Sequence, residues 1–147
     1  MKREPLSTLT DWFLKTNELM RFKNEFNETW REQGLDAVIC PAMPCVANTS
    51  GVDAQLLSAV TYTSLYNVVN FPAGIVPVTK VTKSDVTKTM DPSVYIAKTG
   101  IEKIIQADSE GTEGLPVGIQ VVGVPYTEEL VLRVMAELEK ALKTNTQ

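Results

Sequence analysis

The segment 62–77 (YTSLYNVVNFPAGIVP) does most to limit what this chain can become. Its first half, from Tyr62 to Val69, carries apolar residues at helical spacing. Its second half, from Ile75 onward, is short, β-branched and strand-like. Between them Asn70-Phe71-Pro72-Ala73-Gly74 packs a turn former, a proline and a glycine into five positions, which ends the helix and starts the strand within one turn. Pro77 lies inside the strand and has no N–H to give a ladder, so that strand is expected at a sheet edge, bulged or irregular there. A second turn-and-strand, Gly114-Leu115-Pro116-Val117-Gly118-Ile119-Gln120, repeats the pattern and runs into the most continuous apolar stretch of the chain, 117–124. Such a run is expected of a strand covered on both faces.

Around these two units the remaining elements fall into alternation. Residues 8–33 read as a long amphipathic helix with Trp12, Leu19, Phe22, Phe26 and Trp30 on one face; Ser7 or Thr8 starts it and Gly34 stops it. Residues 36–40 (DAVIC) read as a buried strand closed by Pro41, followed by a loop to Gly51. Asp53 is expected to cap a helix that runs on to Val69. Residues 80–92 (KVTKSDVTKTMDP) read as a polar surface excursion, and a short helix is expected over 99–107. Thr127 opens a last helix with Leu130, Val134, Leu138 and Leu142 as its buried stripe, Glu128 and Glu129 at its positive end, and Lys140 and Lys143 at its negative end. The order is α-β-α-β-α-β-α, an α/β arrangement whose helix-separated strands imply a partly parallel, mixed β-sheet flanked by helices. Three strands leave edges open, and open edges invite pairing, either with a partner chain (a homodimer among them) or with an absent part of the same fold.

Composition removes several classes of function. The chain has 147 residues, the length of one domain, and contains no histidine. Without an imidazole there is no Ser-His-Asp or Cys-His catalysis and no ordinary zinc site. Cys40 and Cys45 flank Pro41 and Pro44 at no familiar metal spacing and read as a pair of small apolar side chains at a strand end. A net charge of -4 argues against a nucleic-acid partner. No apolar run reaches membrane-span length, and the start of the chain is polar where a signal peptide would be apolar, so the expected location is cytoplasmic.

Three stretches in this order, 36–41 (DAVICP), 62–77 and 114–120 (GLPVGIQ), resemble the amidase signature family. Within it the chain is most similar to fatty-acid amide hydrolases, on Tyr62-Thr63 with Leu65-Tyr66-Asn67, on Phe71-Pro72-Ala73-Gly74 running into Val76-Pro77-Val78-Thr79, and on Glu128-Glu129-Leu130. The likeness covers nearly all of this chain but only the C-terminal part of the family's domain, so residues 1–147 are expected to form a partial amidase-signature fold. It implies hydrolysis of a fatty-acid amide or other amide by a serine activated through a second serine and a lysine, with no metal or cofactor. No Gly/Ser-rich loop of the nucleophile's kind is present, and no catalytic residue carries over. Ser7, Ser50, Ser58, Ser64, Ser84, Ser93 and Ser109 instead read as capping, turn or surface residues. What carries over is a substrate-binding face: Leu57, Val60 and Ser64, expected along one side of a helix that lines the acyl-chain channel. Without the resemblance, Leu57 and Val60 read as ordinary core. Membrane association, where the family shows it, belongs to parts not seen in this chain. Two other readings stand beside this one: a catalytically inactive binding or scaffold module on the same fold, and an amidase or amidotransferase subunit acting on other amides.

Overall fold

A computed structural model describes residues 8–144. Among these residues five α-helices and three strands follow the order α1 (Leu9–Glu32), β1 (Ala37–Pro41), α2 (Thr61–Val69), β2 (Ala73–Lys80), α3 (Lys83–Met90), α4 (Gly100–Asp108), β3 (Pro116–Gly123), α5 (Glu128–Thr144). Contacts divide the chain at Asp36 into a first unit holding α1 and a second unit holding everything else.

In the first unit Thr8 caps α1 by accepting the Asp11 N–H, while Ser7, the other candidate, and the polar opening segment 1–5 lie outside the described residues. The far end closes as the glycine demands. Gly34 takes φ +63, its N–H reaches the Arg31 carbonyl, and the Leu35 N–H reaches Trp30, which satisfies two carbonyls the helix leaves open. Phe22, Phe26 and Trp30 form a ladder of rings with centroids 6.2 and 6.3 Å apart. Of the expected apolar face Trp30 is buried and Phe26 half-buried, whereas Trp12, Leu19 and Phe22 are exposed.

The second unit is built on a three-stranded sheet in the order β1-β3-β2. The continuous apolar run is the central strand, as its composition requires. Both pairings are antiparallel, with Cys40 opposite Gln120 and Gln120 opposite Ile75. This corrects the expected parallel component. A single helix connects β1 to β2, which are not neighbours in the sheet, whereas β2 and β3, which are, are joined through two helices, α3 and α4, and that longer connection returns the chain antiparallel. β2 is an edge strand, and its register slips between Pro77 and Thr79, where the proline has no N–H to give.

Helices cover both faces. On one, α5 lies so near that a Cβ on Gly123 would sit 2.9 Å from Val131 Cγ2 and 2.7 Å from Thr127 Oγ1. On the other, α2 is tied to Cys40 and Gln120, while Ile75 in the same row stays 50% exposed. Val121 and Val122, pointing to opposite faces, are both fully buried, and Val76, Val69, Phe71, Leu56 and Val131 complete the core. α2 ends on Asn70, held left-handed at φ 62, with the Phe71 N–H returning to the Tyr66 carbonyl. Asparagine tolerates that conformation better than most residues.

Two stretches differ from expectation. Residues 53–69 are not one helix: 3-10 turns at Asp53–Gln55 and Leu57–Val60 precede α2. Thr63 Oγ1 and Ser64 Oγ donate to the carbonyls of Val60 and Thr61, taking acceptors at the junction between the 3-10 and α segments. The polar 80–92 excursion contains α3. Thr82 and Asp85 make a reciprocal capping box there, as Thr99 and Glu102 do for α4.

Candidate functional site

The residues expected to face substrate are carried by the 3-10 turn and α2, not by one α-helix. Leu57 and Val60, three apart, lie nearly in line on a 3-10 turn. Ser64 follows one turn into α2. Leu57 is 76% exposed and Val60 and Ser64 are half-buried, so Leu57 is not core in this chain. Tyr62 and Val68, also on α2, add exposed apolar surface. None of the three lines a cavity described among these residues.

Beneath this face the sheet holds α2 by polar contacts. The Gln120 side chain, 2% exposed, donates through Nε2 to the carbonyls of Pro41 and Tyr62, each at 3.0 Å. One amide thus fixes the end of β1 to the start of α2. A turn further along, the Cys40 thiol points at the Tyr66 phenol oxygen, 3.8 Å away. Burial, with Cys40 adding to it, pushes the Tyr66 phenol up to about 12, so it stays a neutral hydroxyl. Tyr66 also leans on Phe71, ring centroids 6.5 Å apart. Asn67 supplies its backbone carbonyl to the Asn70 N–H. Asn70 makes the turn that follows.

Three of the serines are engaged in local bonds. Ser64 and Ser109 bond to carbonyls three residues back, and Ser93 closes an Asx turn on Asp91. Glu128 and Glu129 are exposed at the positive end of α5. Among the described residues there is no grouping of three metal-ligating side chains, and no helix is long and apolar enough to cross a membrane.

The sequence pattern of the Amidase family matches residues 4–132. The chain belongs to the amidase family. Among curated amidases and their kin it is 37% identical over 125 residues to fatty acid amide hydrolase 1 of Caenorhabditis elegans, a match covering 85% of this chain and 22% of that protein. It is 34% identical over 136 residues to the Sus scrofa fatty-acid amide hydrolase 1, covering 92% and 23%. An acetamidase of Emericella nidulans is 30% identical over 129 residues. A solved fatty acid amide hydrolase superposes with a TM-score of 0.62 at 22% identity, over 95% of this chain and 27% of that one, and so shares its fold. The chain spans under a quarter of the length of the curated amide hydrolases it matches.

One feature lay outside the sequence reading. The 44–48 loop, α3 and α4 enclose a cavity of about 330 Å³ bordered by Cys45, Tyr95, Asp85 and Asp108. Reading 80–92 as an excursion removed one wall. The Thr82-to-Asp85 spacing, the usual start signal of a capped helix, was the clue to it.

Proposed function

We propose that this chain is the C-terminal part of a serine amide hydrolase of the fatty-acid amide type, and that Leu57, Val60 and Ser64 form a wall for the substrate's acyl chain. The nucleophilic serine, its serine partner and the lysine base belong to the portion of an amidase domain that this sequence does not match. The observation that carries the substrate reading is Leu57, a leucine left 76% exposed beside a half-buried valine on a surface that Gln120 fixes to the sheet. Covering such a leucine contributes about 1.5–3 kcal/mol, and each methylene of a ligand buried against it about 0.8 kcal/mol. Exposure of this kind suits a surface completed by something apolar. The similarity to an acetamidase favours one second reading, in which the completed enzyme takes short amides.

A chimera tests both. In it, this chain replaces the matching C-terminal segment of the Caenorhabditis elegans enzyme. Hydrolysis of long-chain amides is expected, with Leu57→Asp raising KM for long acyl chains and leaving acetamide turnover unchanged. A chimera indifferent to chain length, or a Leu57→Asp variant with unaltered long-chain KM, refutes the acyl wall. The 147-residue chain by itself is expected not to label with a fluorophosphonate serine probe; stoichiometric labelling refutes the assignment of the nucleophile elsewhere.

A further inference from the structure

The cavity between the 44–48 loop, α3 and α4 has the attributes of a binding site in its own right. Its volume of about 330 Å³ falls at the lower end of small-molecule pockets. Its walls are tied together by side chains from three separate segments. Asn48 Nδ2 and the Thr49 N–H donate to Asp108 Oδ2 at 2.9 and 3.1 Å, clamping the loop to the end of α4. Gln106 Nε2 donates to the Thr89 carbonyl at 2.6 Å, clamping α4 to α3. The space between is therefore pre-formed, and Val46, Val81, Val86 and Ile105 give it an apolar lining.

The charged groups on that lining are of one sign. Asp85 and Asp108 border the cavity and no lysine or arginine does. Both carboxylates are engaged as acceptors, Asp85 by the Thr82 hydroxyl and N–H and Asp108 by Asn48 and Thr49. Those bonds hold each below the usual carboxylate range, hence ionised at neutral pH. Tyr95, partly exposed, adds an aromatic ring to the same lining. A cation is attracted both by carboxylates and by the face of a ring, whereas an anion gains from neither; Lys88, on α3 near Asp85, offsets part of the negative field without bordering the cavity.

We propose that this cavity binds a compact amphiphilic amine, its apolar body between Val46, Val86 and Ile105 and its protonated nitrogen at the rim facing Asp85, Asp108 and Tyr95. None of Leu57, Val60 or Ser64 borders the cavity, so the site is separate from the acyl wall and stands whether or not that wall takes an acyl chain.

The experiment is an amide-resolved NMR titration of the full chain with three probes sharing one body: phenethylamine, phenethyl alcohol and phenylacetate. The amine is expected to shift signals of Cys45–Asn48, Val86 and Ile105, to bind at least about tenfold tighter than the alcohol, and to weaken as salt rises. Phenylacetate is expected not to bind. Val86→Phe, which fills the space, should abolish the shifts, and Asp85→Asn should remove the preference for the amine over the alcohol; retained signal dispersion reports that each variant is folded. Equal binding of amine and alcohol overturns the assigned ligand class. Shifts mapping elsewhere, or none in the millimolar range, overturn the site.

Discussion

Replacing Gln120 with leucine isolates the contact on which the placement of α2 depends. The side chain is 2% exposed, and its Nε2 serves two carbonyls contributed by segments 79 and 58 positions away. Leucine keeps most of the volume, so the loss is chiefly that of the two hydrogen bonds. A carbonyl stranded without a partner costs about 1–3 kcal/mol when wholly buried. Pro41 and Tyr62 are exposed residues, so water can reach their carbonyls in part, which places each near the low end of that range. The total expected is about 2–3 kcal/mol. For a chain of this size, with a urea slope of about 2 kcal/mol per molar, that lowers the unfolding midpoint by about 1–1.5 M. The assay is urea unfolding followed by far-UV circular dichroism and tryptophan fluorescence. Gln120→Glu sharpens it. A carboxylate in that place faces two carbonyl oxygens, and burial raises its folded pKa above the unfolded value of about 4.3. Its protonated form can still donate once, so the variant is least impaired below that unfolded pKa and loses stability as pH rises through the raised folded one. A Gln120→Leu stability within about 0.5 kcal/mol of the parent, or a Gln120→Glu deficit independent of pH, refutes the view that this amide joins β1 to α2.

Three further outcomes follow from the packing and the caps. Gly123→Ala places a methyl against Val131 and Thr127, whose β-branched side chains have little room to turn, and should cost about 1–3 kcal/mol; the double variant with Val131→Ala should recover part of it in the same unfolding assay. Asn70→Ala, at φ 62, should cost about 1 kcal/mol, whereas Asn70→Gly should be close to neutral, both read from thermal melts. Asp85 and Glu102 are held below their ordinary pKa values, Asp85 by the Thr82 hydroxyl and N–H, Glu102 by the Lys98 and Thr99 N–H groups. Depressed folded values mean that their stabilisation is present above the unfolded carboxylate pKa and is lost as pH falls through the folded one. Hydrogen exchange in the first turns of α3 and α4 should therefore accelerate selectively on acidification, an effect that Asp85→Asn and Glu102→Gln remove.

What the sequence made legible divides along physical lines. Elements set by local rules lay close to their expected places: α1 with its Thr8 and Gly34 ends, the β2 irregularity at Pro77, the central strand, α4 and α5. Each depends on residues within a few positions of one another. Sheet direction was not legible, because antiparallel pairing of β3 with both neighbours is decided by which strands meet, and that depends on packing across the whole unit. α3 was hidden by its composition, threonine and lysine in place of an apolar stripe, although its capping residues were in view. At the site, the motifs around Tyr62 and Gly114 marked the family, while the exposure of Leu57 and the role of Gln120 as a tie between segments required coordinates. The cavity beside Asp108 combines three segments and has no linear signature.

The place of β3 in the sheet also has a consequence in time. Among the described strands the last in sequence is the middle one in space, so the β1 and β2 pairings seen here form only once residues 116–123 arrive between them. Each pairing closes a long loop before any ladder hydrogen bond rewards it, the condition that slows folding of sheet-rich chains. During synthesis the two pairings with β3 therefore wait until the intervening helices have emerged. The sheet assembles from its outside inward, and Gln120, whose side chain reaches both β1 and α2, is among the residues that close it.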